Sequence, residues 1–183
     1  MAEFLDIVDM TGTPTGEIID RETAHAQGIL HRTTHLWLLR KRNGVTEVLL
    51  QKRSQNKDSF PGCYDISSAG HIPAGVDWKA SALRELEEEL GIKNIKEDDL
   101  ILCGQRHIKH DDIFHGKPYK DRQISNIYCI GLDVEPEKLT LQEEEVESVI
   151  WIPLEECIKK VESCDPTFKH AIVLDEIKML PRE

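Results

Sequence analysis

Long apolar runs are absent from this sequence, and acidic side chains outnumber basic ones by 34 to 23. The best apolar fragments, at residues 36–39 and 48–50, fall far short of the roughly 20 residues that a membrane-spanning helix needs. The N-terminus carries Glu3 and Asp6 and lacks the basic-then-apolar pattern of a secretory signal. The net charge of −11 disfavours contact with nucleic acid or an anionic membrane. We therefore expect a cytoplasmic protein with neither kind of partner.

Cysteine occurs five times, which is an odd number, and no two cysteines have the CxxC spacing. This pattern is typical of neither a disulfide framework nor a zinc site, so we interpret the cysteines as small core residues in a reducing compartment. The sequence also lacks repeats and linkers rich in Gly, Ser or Pro. A length of 183 residues then predicts a single domain over residues 1–183.

Periodicity and turn residues predict strands that alternate with a few helices. Asn43-Gly44 is the favoured dipeptide of a tight hairpin turn. The polar stretch 107–123, which contains His110, Asp111, Asp112, His115 and Tyr119, is predicted to be a long loop that either sets substrate specificity or only connects two strands. Strands are predicted at residues 4–9, 17–20, 35–40, 47–51, 64–67, 100–107, 124–132 and 148–152, and helices at 21–27, 78–90, 153–161 and 166–179. This order favours a mixed sheet with helices on both faces.

The helix predicted at 78–90 begins after a capping Asp77 and ends before Gly91. A rotation of 100° per residue separates an apolar side from an acidic side, which are Leu83, Leu86 and Leu90 against Glu85, Glu88 and Glu89. Carboxylates so close together repel one another and also face the negative end of the helix dipole. Both penalties reverse if Mg²⁺ or Mn²⁺ binds among them. The alternative is a solvated acidic helix face.

The spacing around these glutamates resembles the Nudix box. That pattern is Gly, five residues, Glu, seven residues, Arg-Glu-apolar, one residue, Glu-Glu, one residue, Gly-apolar. The sequence matches it over residues 70–92 at every fixed position but one: Val76 replaces the first glutamate, with Asp77 next to it. The matching positions are Gly70, Arg84-Glu85-Leu86, Glu88-Glu89 and Gly91-Ile92.

The resemblance implies an α/β protein with the Nudix fold, an α/β/α sandwich around a mixed β-sheet, with its core at about residues 30–162. It implies a hydrolase that cleaves the diphosphate (phosphoanhydride) linkage of a nucleoside or another organic diphosphate. Glu85, Glu88 and Glu89 would be the ligands of Mg²⁺ or Mn²⁺, and Arg84 would orient them. The proton acceptor is left open among Glu89, Asp111, Asp112 and Glu145.

Outside the box, the chain is similar to the Nudix branch that contains isopentenyl-diphosphate isomerase. That isomerase needs a cysteine before the Gly-His pair and a glutamate on a later strand, whereas this chain has Ala69 and the acid-free segment 122–126. An isomerase-like enzyme is therefore only an alternative. A catalytically silent Nudix domain that binds a ligand is a second one, favoured by Val76. The similar residues are Thr15-Gly16, Arg21, His25, Leu30-His31, Trp37, Gln51 to Ser54, Lys57, Pro61-Gly62, Asp65, Gly70-His71 and Trp151.

The same resemblance predicts substrate-binding residues, which are Lys52, Arg53, Lys57, Gly70 and His71. The basic residues correspond to positions that hold a diphosphate, and an exposed basic strand is the alternative for them. Three histidines match metal-binding positions of the isomerase: His25, His31 and His71. Because the glutamates that complete that site are missing, we interpret these histidines as hydrogen-bonding groups, with a second metal or a phosphate contact as the alternative. A homodimer is also compatible with the sequence.

Overall fold

A mixed β-sheet is the centre of the structure, a computed structural model that describes residues 3–57, 59–114, 116–168 and 172–181. The strands are β1 (Phe4–Val8), β2 (Pro14–Asp20), β3 (His31–Arg42), β4 (Val45–Arg53), β5 (Tyr64–Asp65), β6 (Ser68–His71), β7 (Ile101–Phe114), β8 (Lys117–Gly131) and β9 (Val146–Pro153). Strands β1 and β2 form a separate antiparallel pair. The larger sheet has the order β5-β4-β3-β8-β7, with β6 paired to β3 and β9 paired to β4. Its β3–β8 pair is parallel, and the other pairs are antiparallel.

Helices cover both faces of this sheet, as predicted. They are α1 (Arg21–Gln27), α2 (Trp78–Leu90), α3 (Leu154–Glu162) and α4 (Leu174–Ile177). Side chains alternate across β3: Leu36 and Leu38 pack with α2, whereas Trp37 and Leu39 pack with α3 and α4. The α/β sandwich is thereby confirmed. None of the helices in the described part of the chain is long and apolar enough to cross a membrane.

Local signals account for the best-predicted elements. Asn43 and Gly44 have φ angles of 52° and 79°, the left-handed pair that a tight hairpin turn requires, and they join β3 to β4. Helix α2 has the predicted bounds, because the Asp77 side chain caps the Lys79 N–H and Gly91 ends the helix with φ 69°.

Two predicted segments were wrong. The stretch 107–123 is not a loop: β7 and β8 continue as a paired ribbon to Phe114 and Lys117. His115, at the turn, lies outside the described residues. The helix predicted at 166–179 is instead a short 3-10 turn at Pro166–Phe168 followed by α4, and residues 169–171 lie outside the described residues. The cysteine prediction is correct for Cys129 and Cys157, which are buried, but Cys164 is exposed.

Candidate active site

The C-terminal half of α2 lies against β6, and this contact sets the position of Glu85. A Cβ atom built on Gly70 comes within 2.1 Å of the Glu85 carboxyl carbon. No other residue type therefore leaves space for the carboxylate in its observed position. Gly70 is required here for the close approach of the side chain to the β6 backbone, rather than for an unusual φ angle.

Arg84 connects this carboxylate to the next one along the helix. Its guanidinium donates to Glu85 Oε1 at 2.5 Å and to Glu88 Oε2 at 2.9 Å, and also to the carbonyl oxygen of His71 at 3.2 Å. The arginine thus fixes two glutamates relative to β6. This is the geometry expected of a residue that orients the carboxylates from behind.

Glu89 occupies a different environment from Glu88, and here the two-sided helix predicted from the sequence was too simple. Glu89 is 7% exposed and accepts hydrogen bonds from Gln51 Nε2 and the Ala69 N–H, each at 3.3 Å. Glu88 is exposed, and Leu83 is only partly buried. Because Glu89 is adjacent to the leucine side of the helix, the packing of α2 on β4 and β6 encloses it.

Burial determines the proton affinity of the two enclosed carboxyls. Removal from water raises the pKa of Glu85 to about 7 and that of Glu89 to about 8. The mutual repulsion of the two charges acts in the same direction on Glu89. Near neutral pH and without a cation, Glu89 is therefore mostly protonated and Glu85 about half protonated. A donor set made only of carboxylate oxygens, one of them buried among neutral hydrogen-bond donors, fits a hard divalent cation such as Mg²⁺ or Mn²⁺.

The basic residues expected to bind substrate have different partners in the structure. Lys57 forms an ion pair with Glu145, and burial, followed by the charge of Arg53, lowers its pKa. Its ammonium also interacts electrostatically with Glu89. Lys52 pairs instead with Glu147 at 2.6 Å. The electrostatic interaction with Glu89 makes Lys57 the best supported of the three as a neighbour of the glutamates.

The hydrogen-bond partners of Arg53 are protein groups near Lys57. Its guanidinium donates to Asp65 Oδ2 at 2.9 Å and to the carbonyl oxygen of Ser59 at 3.0 Å. These bonds fix the loop that follows β4, which carries Lys57. Arg53 thus positions the lysine's loop as well as contributing positive charge.

Val76 stands where the family pattern has its first glutamate, and the turn around it is held by other contacts. The carbonyl oxygen of Val76 accepts from Arg32, which is also paired with Asp6 at 2.7 Å. Asp6 accepts a further hydrogen bond from the Gly75 N–H. Asp77 serves as the cap of α2. The turn before the helix is therefore fixed from β1 and β3, without a carboxylate at position 76.

The three histidines form one cluster beside β6. The candidate ligand nitrogens of His25, His31 and His71 all lie within 4.8 Å of one another. Burial lowers the pKa of His31 to about 4 and that of His71 well below its usual value, so both imidazoles are neutral. The Tyr119 ring stacks on His25 at 4.6 Å, which joins the β7–β8 ribbon to this cluster.

Sequence reasoning missed two contributors to this region, Gln51 and Asp121. Gln51 reaches Glu89 from β4, and Asp121 lies 3.6 Å from His25 Nε2. The position of Asp121 could have been predicted from the alternation of side chains between the two faces of β8. Gln123 and Ser125 contact Thr33 on β3, and Asp121 precedes them on the same face of the strand. That signal required the parallel pairing of β8 with β3, which the sequence did not reveal.

Fold and site together define an α/β sandwich domain with a carboxylate cluster suited to a divalent cation. Comparison with known proteins identifies its family. The NUDIX domain model matches residues 30–172. Nudix hydrolase 3 of Arabidopsis thaliana is 36% identical over 170 residues, and an uncharacterised Nudix hydrolase of Clostridium acetobutylicum is 34% identical over 175 residues. The chain belongs to the Nudix hydrolase family and is an enzyme of that class.

The relatives differ in how much of their length is matched. The alignment covers 91% of this chain but only 21% of the Arabidopsis protein, whereas it covers 95% of this chain and 82% of the Clostridium protein. The crystal structure of DR0079 from Deinococcus radiodurans has a TM-score of 0.62 at 17% identity, and covers 88% of this chain and 90% of that one. At this identity the structural likeness concerns the fold alone.

Proposed function

We propose that this protein hydrolyses a diphosphate linkage in a nucleoside diphosphate derivative or another organic diphosphate, with Mg²⁺ or Mn²⁺ held by Glu85, Glu88 and Glu89. The observation that carries the proposal is the enclosure of two carboxyls between α2 and β6, at a glycine that leaves space for one of them. Buried carboxylates without a cation are costly. A bound divalent cation would neutralise phosphate charge and increase the acidity of the attacking water.

The chain's own residues have distinct tasks in this reaction. Arg84 maintains the separation of Glu85 and Glu88 through its two hydrogen bonds. Lys57 lies on the loop after β4 and presents positive charge toward the glutamates, so it is our first choice for a phosphate contact. Arg53 supports that loop, and Gly70 and His71 remain candidate substrate contacts because they lie on β6 beside Glu85 and Arg84. Lys52, engaged with Glu147, has the weakest support as a substrate-binding residue.

Glu89 is our assignment for the proton acceptor. Its carboxyl is buried, accepts hydrogen bonds from Gln51 and the Ala69 N–H, and lies next to Glu85 and Glu88, where the attacking water would be held. Asp111 is paired with Arg122 at 2.6 Å on the ribbon, and Asp112 lies beside His110. Glu145 is the remaining alternative because it contacts Lys57. Glu89→Gln is expected to lower kcat by about 10²–10⁴-fold, and Glu145→Gln by much less.

The decisive experiment measures release of phosphate or pyrophosphate from a panel of nucleoside and isoprenoid diphosphates with Mg²⁺ and with Mn²⁺. Glu88→Gln removes a ligand charge at an exposed position and is expected to reduce kcat/KM by at least about 100-fold. Glu87→Gln is the matched control, since Glu87 is exposed on the same helix and pairs only with Lys93 among the described ion pairs. Equal activity of the two variants would contradict the assignment of Glu88.

Two alternatives have their own outcomes in the same panel. If the wild-type protein binds a diphosphate but releases no product from any substrate, the silent ligand-binding domain is the better description. Interconversion of isopentenyl and dimethylallyl diphosphates would support the isomerase-like alternative. The structure offers little for that chemistry, since position 69 is alanine and its β3 partner is His35.

A further inference from the structure

A buried carboxylate on α4 holds two basic side chains against the sheet face opposite α2. Glu176 is fully buried, and His35 lies two residues before Trp37 on β3, which places both β3 side chains on this face. Glu176 Oε1 accepts from His35 Nδ1 at 2.9 Å and from Trp37 Nε1 at 2.8 Å. Its Oε2 accepts from His35 Nδ1 at 3.1 Å and from Arg106 Nη1 at 2.9 Å. Each carboxylate oxygen therefore already has two donors.

The charges of this cluster do not balance. Burial favours the neutral imidazole, but the charge of Glu176, the hydrogen bond to it and the charge of Asp65 together outweigh burial and raise the pKa of His35. In spite of burial, the charge of His35 lowers the pKa of Glu176. Arg106 adds a second positive charge to the same carboxylate. Because both cations contact Oε2, at 3.1 and 2.9 Å, they lie within about 6 Å of each other and repel.

Both cations also have donors that Glu176 does not use. A protonated imidazole has an N–H at Nε2 as well as at Nδ1. The Nε2 atom of His35 has no hydrogen-bond partner among the described residues, and the residue is only 7% exposed. Of the Arg106 nitrogens, Nη1 alone has a partner within the described part of the chain, and the side chain is 22% exposed. A buried cationic donor without an acceptor is costly, so this geometry favours an anion that accepts from both residues.

The other carboxylate whose charge acts on His35 belongs to Asp65, and it is engaged elsewhere. Its Oδ2 atom accepts from Arg53 Nη1 at 2.9 Å. Across the β3–β6 pair, His35 is the partner of Ala69, a small and only partly buried residue whose N–H donates to Glu89 at 3.3 Å. The cluster therefore adjoins the candidate active site through Arg53 and Ala69, while it lies on the other face of the sheet.

We propose that His35 and Arg106 bind a phosphate group, which accepts from His35 Nε2 and from the guanidinium nitrogens that Glu176 leaves free. Phosphate supplies the missing negative charge and has several accepting oxygens, so an imidazolium and a guanidinium can contact it together. Glu176 is a positioning residue here, since it orients both cations without contacting the ligand. The site uses no metal and none of the glutamates of α2. A phosphate at the far end of the substrate and free phosphate share this chemistry, and kinetic measurements distinguish them.

The first test is a titration of the full-length protein with inorganic phosphate and with pyrophosphate, in the presence of chelator. The ring nitrogens of the histidines are followed by proton–nitrogen NMR, and the His35 signals are assigned by their loss in His35→Gln. The His35 Nε2 signal is expected to shift as one equivalent of anion binds, with a Kd of about 1 mM or below. If neither anion binds or moves this signal at about 10 mM, the proposal is overturned.

Substitutions locate the anion. Arg106→Gln and His35→Gln are each expected to weaken phosphate binding by at least about tenfold, because each removes a charged donor. Arg106→Lys keeps the ion pair with Glu176 but loses the free guanidinium nitrogens, so Tm is expected to stay near the wild-type value while binding is weak. Arg42→Gln is the matched control, since Arg42 also pairs with one glutamate at 2.9 Å but is exposed at the end of β3. Phosphate affinity at the wild-type level in folded Arg106→Gln and Arg106→Lys would refute the assignment, whatever the stability of His35→Gln.

Kinetics with the best substrate of the diphosphate panel identify the source of the phosphate group. If the group belongs to the substrate, Arg106→Lys raises KM and leaves kcat near the wild-type value. If the ligand is free phosphate, KM is unchanged and only phosphate binding is weakened. Because binding is measured without metal and without turnover, this proposal and the hydrolase proposal fail independently.

Discussion

Replacing Gly70 by alanine should damage the active site far more than the fold. The added Cβ would lie 2.1 Å from the Glu85 carboxyl carbon and 2.3 Å from Oε1, where ordinary contacts begin at 3.4 Å. The carboxylate must therefore move by more than about 1 Å, since atoms cannot overlap to that extent. The nearest atoms are the far end of the Glu85 side chain rather than backbone, so rotation of that side chain can relieve the clash at a cost of about 1–3 kcal/mol in stability. The effect on catalysis is expected to be larger, because misplacement by about 1 Å costs on the order of 100-fold in rate.

The assay combines three measurements on Gly70→Ala: kcat/KM for the best substrate of the panel, Mn²⁺ affinity by calorimetry, and Tm. We expect a loss of about 100-fold in kcat/KM and weaker Mn²⁺ binding, with the folded structure retained. Gly131→Ala is the control, because a Cβ at Gly131, also in the large sheet, meets nothing within 4 Å. Wild-type activity and Mn²⁺ affinity in Gly70→Ala would refute the reasoning that Glu85 must lie against β6.

Three further predictions concern the protons held by Glu85 and Glu89 and the contacts of the C-terminal helix α4. With Glu85 and Glu89 raised to pKa values of about 7 and 8, Mn²⁺ affinity measured by calorimetry should rise up to about tenfold per pH unit from pH 6 to 8 for each proton displaced. In the metal-free protein the folded state holds protons that the unfolded chain has released, so stability should fall between about pH 5 and 8; a flat profile contradicts the assignment. Glu176→Gln should cost about 3–5 kcal/mol in urea unfolding, because it leaves buried partners without their counter-charge. That carboxylate is fully buried and accepts from His35 at 2.9 Å, Trp37 at 2.8 Å and Arg106 at 2.9 Å. Exposed Glu155→Gln is its control, and equal stability of the two variants would show the network to be dispensable.

The features predicted well from the sequence depend on neighbours along the chain. The Asn43-Gly44 turn and the caps Asp77 and Gly91 act within a few residues, so the hairpin and α2 were predicted with nearly correct bounds. The spacing of the box residues predicted roles for Glu85 and Arg84; their side chains are hydrogen-bonded to each other, and their roles in catalysis stay a prediction. These are local signals, and local geometry is sufficient to interpret them.

The features predicted poorly depend on contacts between distant segments. The burial of Glu89 follows from Gln51 on β4, 38 residues away. The ribbon at 107–123 is polar on both faces, so it lacks the alternation that marks a strand with one buried face. The C-terminal segment is positioned by the pairing of Glu176 with β3, which periodicity does not report. In each case tertiary contacts outweighed the local pattern.

The position of β7 at the margin of the large sheet has a consequence for the protein's colloidal behaviour. The outer backbone of this 14-residue strand has no neighbouring strand in the described part of the chain, and Ile101 and Leu102 are each 57% exposed at its start. Long unprotected margins of this kind invite strand addition by other chains. Lys109 and Asp111 place charges farther along the strand, where they oppose such pairing. Neutralising these charges should therefore increase self-association at high concentration, even where stability is unchanged.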